Sequence, residues 1–170
     1  MSKKTIKMTL FWMGVIGAMA LSRPGIAQTD WTSQLQQLAQ SEQRSAEHLA
    51  RNEYRHPAQT LQFFGLQPDM AVLEIWPAHG WYTEILAPFL KDQGQLTLAQ
   101  FRHNDGSLKD ERSIFWARVS QRLAQRIAEQ ADYFGQPQFA ELDPPLLYPS
   151  AEDKFDLILT FRNAHIWDET

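Results

Sequence analysis

The chain has 170 residues, a formal net charge of -4 and no cysteine. This length allows a single domain with a buried core, and the lack of cysteine excludes disulfides and thiolate metal sites. The acidic balance argues against a nucleic-acid-binding protein, because such proteins contact phosphates through clustered positive charge.

The N-terminus has the pattern of a secretory signal peptide. Three lysines precede an apolar run over residues 8–21, and Gly25-Ile26-Ala27 supplies small residues of the kind that signal peptidase requires. The apolar run is shorter than the roughly 20 residues of a membrane-spanning helix, which favours a cleaved signal over a retained anchor. We therefore predict export with cleavage after Ala27, leaving 12 basic and 20 acidic residues and a net charge of -8.

Residues 28–54 form a predicted N-terminal helical segment. Asp30 is a suitable N-cap, and the apolar residues after it recur on one stripe, as expected for a single amphipathic helix. The residues of that stripe are Trp31, Leu35, Leu38, Ala39, Ala46 and Leu49. The stripe is thin, so we expect this helix to pack on another part of the chain.

A second, shorter helix is predicted to begin with Pro57 at its first position and to end at Gly65. Proline is common at the first helical position and glycine just past the last one. We expect this helix to direct Leu61, Phe63 and Phe64 toward a core.

The stretch Val72–Thr83 is predicted to be a buried strand, a tight loop and the start of a helix. The strand covers Ala71–Ile75 and the helix runs from Trp81 to Leu90. This geometry holds nucleotides in many proteins, because backbone N–H groups at the helix start face the ligand. Glu74 places a carboxylate near the end of the strand, and Gly80 allows close approach of the backbone.

The longest helical pattern covers Ser107–Phe134. Its apolar residues repeat every four positions, with arginines alongside them. The apolar residues are Phe115, Val119, Leu123, Ile127 and Ala131, and the arginines are Arg118, Arg122 and Arg126. This pattern favours a helix that covers the core over a substrate lid.

Three further strands are predicted at Gln95–Phe101, Gln138–Leu142 and Phe155–Phe161. Strands alternate with helical or loop connections, which is typical of an open parallel α/β sheet. The last strand is apolar on both faces except at Asp156 and Thr160, as expected inside a parallel sheet.

In an open α/β sheet, ligands bind beyond the carboxyl ends of the strands. Residues just after each predicted strand are therefore the candidate site, although any single one can be an ordinary loop residue. They are Trp76 to Tyr82, Gln100 to Asn104, Asp143, and Arg162 to His165.

Several short motifs resemble those of a family of exported bacterial proteins predicted to be class I S-adenosylmethionine-dependent methyltransferases. The matching residues are Arg55-His56-Pro57, Phe63-Phe64-Gly65, Glu74-Ile75-Trp76-Pro77, residues 80–88, Leu159-Thr160-Phe161-Arg162-Asn163, His165 and Trp167. The resemblance covers residues 55–170. It implies a Rossmann-like class I methyltransferase fold, of which strands 1 to 4 and their flanking helices are present, in a periplasmic protein.

The resemblance also implies a cofactor, S-adenosylmethionine, and a set of residues that bind it. Class I enzymes use the pattern acidic-x-Gly-x-Gly-x-Gly, into which Glu74 and Gly80 fit, with Ala78 as a small substitute and Trp76 as a departure. The residues that the resemblance assigns to the methionine and ribose parts of the cofactor are Glu74, Trp76, Ala78, Gly80, Trp81 and Tyr82. Asn163 would lie near the transferred methyl, and Gln100 stands where an acid usually binds the ribose hydroxyls.

Methyl transfer from a sulfonium depends mainly on positioning in line, because the donor is already activated. If the acceptor carries a proton, His165 or His79 is a candidate general base. A structural role is the more common one for either histidine. The acceptor is unknown.

Two rival enzyme classes fit the sequence less well. The Gly-x-Gly-x-x-Gly of a dinucleotide-binding oxidoreductase would fall on Trp76, Ala78 and Trp81, none of which is glycine. A metal hydrolase would need His79, His103 and His165 to meet at one sheet edge without a short ligand motif. We therefore predict no metal site.

Class I methyltransferase sheets have seven strands in the order 3-2-1-4-5-7-6, and this sequence reaches only strand four. We therefore expect a truncated member of the family, with the last strand exposed at the sheet edge and available for self-association. The alternative function is a non-catalytic, methyltransferase-like binding or remnant protein.

Overall fold

The computed structural model describes residues 29–142 and 155–163. Four parallel strands form one sheet in the order β3-β2-β1-β4, which confirms the predicted α/β class and is compatible with a Rossmann-like fold. The strands are β1 Ala71–Ile75, β2 Gln95–Phe101, β3 Gln138–Leu142 and β4 Leu157–Thr160. The first three match their predicted bounds, and β4 is shorter than predicted. The predicted signal peptide, Asp143 and His165 lie outside the described residues.

Seven helices in the described ranges connect and flank these strands. They are α1 Thr29–Ala39, α2 Ala46–Ala50, α3 Asn52–Arg55, α4 Pro57–Phe63, α5 Thr83–Leu90, α6 Glu111–Glu129 and α7 Ala131–Phe134. The predicted start of α5 at Trp81 was two residues early, and α6 is shorter at both ends than the predicted helix.

The prediction of one continuous N-terminal helix is wrong, because α1 ends at Ala39 and α2 begins only at Ala46. Two side chains replace the backbone donors that would have continued α1. The carbonyl of Ala39 accepts hydrogen bonds from Arg44 Nη1 at 2.7 Å and Asn52 Nδ2 at 2.6 Å. Ser45 then caps α2, since its hydroxyl accepts from the His48 N–H at 3.2 Å. The helix starts at Thr29, so Asp30 lies inside its first turn.

Helix α4 faces the core through Ala58 and Leu61, which are buried. The prediction that Phe63 and Phe64 also face the core is wrong, because their side chains are 85% and 44% exposed. Phe63 follows Leu61 by two residues, which places it about 200° further around the helix. Phe63 therefore lies on the helix face away from the core, although its side chain is hydrophobic.

The larger core cluster lies between one face of the sheet and helices α1, α4, α5, α6 and α7. The sheet contributes Val72 of β1 and Leu98 of β2, which alternate with residues of the opposite face. That opposite face carries a smaller cluster formed by Leu73, Trp76, Ala99 and Leu142. Strand β1 is thus central and buried on both sides, so its end is held rigidly.

The predicted four-residue repeat of α6 is buried only in its middle. Val119, Leu123 and Ile127 are in the core, whereas Phe115 is 53% exposed and Ala131 is also exposed. A step of four residues overshoots one helical turn by about 40°, so the stripe is turned away from the core at Phe115, whereas Ala131 lies beyond the end of α6, in α7. The middle of α6 packs in the larger core cluster.

Pro88 lies inside α5 and has no N–H to donate to the carbonyl of Glu84. Tyr133 of α7 supplies the missing donor, since its hydroxyl lies 2.9 Å from that carbonyl oxygen. The proline is therefore accommodated by a side chain from a distant part of the sequence.

Strand β4 forms one edge of the described sheet, and its Ile158 side chain is 56% exposed. Self-association through this edge stays a prediction. Within the two described ranges, no helix has the length and apolar character needed to cross a membrane.

Candidate functional site

The candidate site lies at the carboxyl ends of β1 and β4, where the direction of the chain along the sheet reverses. β2 and β3 follow on one side of β1, and β4 returns to the other side. This switch point is where open α/β sheets bind ligands. A cavity of about 900 Å³ opens here, near the upper end of the usual range for small-molecule sites.

The loop after β1 has an unusual backbone. Trp76, Ala78 and Gly80 have φ values of +54°, +51° and +80°, in the left-handed region that favours glycine. These three positions are those that the acidic-x-Gly-x-Gly-x-Gly pattern assigns to glycine. The loop therefore has positive φ at each of these positions, although two of the three residues carry side chains.

Tertiary contacts hold Trp76 in this conformation. Its N–H donates to the carbonyl of Ala99 at 2.7 Å, and its ring packs edge-on against Phe101 and Trp116. The ring centroids lie 4.7 Å and 4.9 Å apart. Packing of this kind offsets the roughly 1–3 kcal/mol that a left-handed residue costs.

Gly80 is buried beneath the loop, where α6 passes close by. A Cβ atom on this residue would lie 2.6 Å from Leu123 Cδ1. Both the positive φ and this close approach favour glycine. Gly80 shapes the loop and does not line the cavity.

Glu74 lies at the floor of the cavity with its side chain almost fully buried. The hydroxyl of Thr83, at the start of α5, donates to Glu74 Oε2 at 2.7 Å. Burial raises the pKa of Glu74 to about 7, although the Thr83 hydrogen bond opposes this rise. The carboxyl group therefore changes charge near neutral pH.

Asn163 joins the loops that follow β4 and β1. Its Nδ2 donates to the carbonyls of Ile75 at 3.0 Å and Trp76 at 3.3 Å, and to the Thr160 hydroxyl at 3.1 Å. The side chain is buried and lines the cavity. Its amide group positions the two loops relative to each other.

An aromatic wall borders the cavity on the side of α5. The rings of Tyr82 and Phe161 stack with centroids 3.7 Å apart, and Trp81 packs edge-on against Tyr82 at 4.6 Å. Trp81 Nε1 donates to the His48 carbonyl at 3.0 Å, which fixes the indole. These three rings form an apolar border of the cavity.

Five arginines also line the cavity, and the candidate site predicted from the sequence contained only one of them, Arg162. They are Arg51, Arg55, Arg122, Arg126 and Arg162. The sequence carried some signal for the others, since Arg55 belongs to a motif of the resemblance and two more accompany the apolar stripe of α6. No local pattern indicated that they meet.

A buried ionic cluster stands next to the cavity and is centred on Glu84 of α5. Its Oε2 lies 3.1 Å from Arg44 Nε and 2.9 Å from His48 Nδ1, and its Oε1 pairs with Arg126. Burial alone would raise the pKa of Glu84, but hydrogen bonds from His48 and Arg126 outweigh it and lower the pKa. The cluster ties the segment before α4 to α5 and α6.

Arg44 extends this cluster to the backbone. Besides Glu84 and the Ala39 carbonyl, it donates from Nη1 to Asn52 Oδ1 at 3.0 Å and from Nη2 to the Trp81 carbonyl at 3.1 Å. Burial lowers the pKa of Arg44, and the bond to Glu84 opposes that change. The wall residue Trp81 is thus held by the same network.

The structure gathers most of the predicted site residues around the cavity. Those that line it are Glu74, Trp76, Ala78, His79, Trp81, Tyr82 and Asn163. Gln100 does not line the cavity, because β2 directs it into the core, where its Oε1 has no hydrogen-bond partner among the described residues. His165 lies outside the described residues.

The histidines proposed for the rival metal site are not gathered into a cluster in the part of the chain that the structure describes. His79 lines the cavity and His103 is exposed. No group of three or more His, Asp or Glu side chains within residues 29–142 and 155–163 has an arrangement that could hold a metal ion.

No protein-family model matches the chain, and no curated protein matches it either.

Proposed function

We propose that the cavity at the switch point binds S-adenosylmethionine and that the protein is a methyltransferase of class I type. The observation that carries this proposal is the loop after β1. Its three left-handed residues stand at the glycine positions of the cofactor-binding pattern, directly after the buried carboxylate of Glu74. The position of the cavity at the switch point and its volume support the same proposal.

The residues around the cavity fit the parts of this cofactor. Glu74 would hold its ammonium or ribose hydroxyl groups, and the rings of Tyr82 and Trp81 would pack on its flat or apolar parts. Asn163 holds the end of β1 and the loop after it through its bonds to the carbonyls of Ile75 and Trp76. The cofactor, when bound, supplies an activated methyl group, so these residues need only bind, orient and exclude water.

Titration calorimetry of the full-length protein with S-adenosylhomocysteine tests the proposal. We expect saturable binding, weakened at least tenfold in Glu74→Gln, because this isosteric change removes only the charge. The matched control is Glu141→Gln, an exposed glutamate on β3 that lies away from the cavity. Absence of saturable binding at millimolar ligand would overturn the proposal.

The pKa of Glu74 gives this experiment a second readout. With a pKa of about 7, roughly a tenth of the carboxyl is ionised at pH 6 and most of it at pH 8. If Glu74 holds the ammonium group of the ligand, affinity should therefore rise by up to about tenfold over this range. The Glu74→Gln variant should bind with no such increase.

Binding without turnover is the second candidate function, and one observation favours it. His79 lines the cavity but is exposed, and no hydrogen bond from another described side chain orients its ring. General bases are normally held by a second group. If His79→Gln leaves cofactor binding unchanged and no methyl transfer is detected in the native protein, the binding role is supported.

A further inference from the structure

The cavity concentrates positive charge in a chain whose net charge is -4. Its five arginines come from separate parts of the sequence: the α2–α3 segment, α6 and the loop after β4. The acidic side chains that line it are Glu47 and Glu74. The excess of cations is therefore local and is created by the fold.

Two of the five arginines already have carboxylate partners. Arg51 pairs with Glu47, and Arg126 pairs with Glu84. The other three, Arg55, Arg122 and Arg162, have no carboxylate within ion-pairing distance among residues 29–142 and 155–163. Their guanidinium groups have donors left for a ligand.

Packing, and not a counter-charge, holds Arg55 in place. Its guanidinium carbon lies 4.8 Å from the centroid of the Trp81 ring, a cation–π contact on the cavity wall. Burial lowers the pKa of Arg55, and repulsion from Arg162 and Arg51 lowers it further. An anion placed between these groups would relieve the repulsion.

We propose that the cavity binds a small polyanionic molecule, with phosphoryl or carboxylate groups held by Arg55, Arg122 and Arg162. The planar guanidinium group donates paired hydrogen bonds to such groups. S-adenosylmethionine has one carboxylate and two cationic centres, so three arginines without a carboxylate partner among the described residues exceed what it can neutralise. That the anion is the methyl acceptor rests on the proposed function, whereas the anion site itself does not.

Calorimetry of the full-length protein with inorganic pyrophosphate, and separately with tricarballylate, tests the site. We expect saturable binding of at least one anion, and the tighter of the two identifies the preferred group. Arg122→Gln and Arg162→Gln should each weaken it about tenfold, as loss of a hydrogen bond to a charged group does. Both residues are exposed, so these variants keep the fold.

The matched control is Arg118→Gln. Arg118 lies one turn before Arg122 on the same helix, is also exposed and does not line the cavity. Binding should be unchanged in this variant. Failure of both anions to bind overturns the proposal, and so does equal weakening by Arg118→Gln, which would indicate diffuse attraction to the surface.

A competition experiment separates this site from the proposed function. Pyrophosphate binding that persists at saturating S-adenosylhomocysteine supports an acceptor site beside the cofactor. Displacement by S-adenosylhomocysteine would mean that the arginines hold the cofactor, and would overturn the acceptor assignment. Anion binding without any S-adenosylhomocysteine binding would overturn the proposed function and leave the anion site supported.

Discussion

Two buried glutamates, ten residues apart, meet opposite electrostatic surroundings. Glu84 faces Arg44, His48 and Arg126, and hydrogen bonds from His48 and Arg126 lower its pKa. Among the described residues, the side chain that bonds to Glu74 is Thr83, whose hydroxyl donates to it, and burial raises the pKa of Glu74 to about 7. The charge of Glu84 is neutralised by other residues of the chain, whereas the carboxylate of Glu74 is available to a ligand.

The arginines repeat this contrast. Arg44 and Arg126 are bound to Glu84, whereas Arg55 and Arg162 line the cavity without a carboxylate among the described residues. Groups that are satisfied within the chain stabilise it, and groups that are not satisfied cost stability unless a ligand binds. This difference separates the structural part of the molecule from the proposed binding part.

Glu84→Gln should reduce the stability of the folded chain more than the other substitutions below. The change removes the charge that pairs with the buried guanidinium of Arg44, and loss of one partner from a buried ion pair costs about 3–5 kcal/mol. We expect the free energy of unfolding in urea to fall by this amount. Because the folded chain lowers the pKa of Glu84 below its ordinary 4.5, this stabilisation is present above that pH and is lost as the pH falls further.

The control for this variant is Glu47→Gln, which removes an exposed pair with Arg51 four residues later on the chain. Exposed pairs of this kind contribute little, so its urea midpoint should match that of the native protein. If the two variants lose equal stability, the Glu84 cluster is not structural.

Glu74→Gln should stabilise the protein, whereas Glu84→Gln should destabilise it. A rise in pKa from 4.5 to about 7 corresponds to about 3 kcal/mol of folding free energy. The folded chain binds the proton more tightly than the unfolded chain, so native stability falls as the pH rises between these values. The variant, which carries no charge, should be more stable than the native protein by about 3 kcal/mol at pH 8 and by less than about 1 kcal/mol at pH 5.

Urea titrations of both proteins at the two pH values measure this difference. Glu141→Gln should show no comparable gain, since Glu141 is exposed on β3. An equal gain at pH 5 and pH 8 would mean that Glu74 is not held with a raised pKa.

The fold was largely predictable from the sequence. The bounds of β1, β2 and β3 match the prediction, because turn residues beside each strand limit where it can begin and end. The break after α1 was missed, since it depends on Arg44 and Asn52 bonding to a carbonyl several residues earlier. Side chains that replace backbone donors leave no periodic signal.

The site was predictable only along β1 and β4. The strand–loop–helix pattern located Glu74, and the rule that ligands bind at strand ends located Trp76 and Asn163. It also suggested Gln100, which the structure directs into the core. Most of the arginines were missed because they come from helices distant in sequence, and their meeting depends on packing that no local pattern encodes.

Substitutions in the loop between Glu74 and Glu84 should change stability least, and they test the backbone conformation of that loop directly. Gly80→Ala should cost about 1–3 kcal/mol, because φ is +80° and the new Cβ would lie 2.6 Å from Leu123 Cδ1. Ala78→Gly relaxes a residue at φ +51°. That relief offsets the greater entropy that glycine has in the unfolded chain, so stability should change by less than about 0.5 kcal/mol. Urea midpoints of the two variants measure both changes. The two substitutions exchange the same two residue types two positions apart, so they separate the effect of position from that of residue type. Equal losses of stability in both variants would contradict a preference for glycine at Gly80 and backbone strain at Ala78.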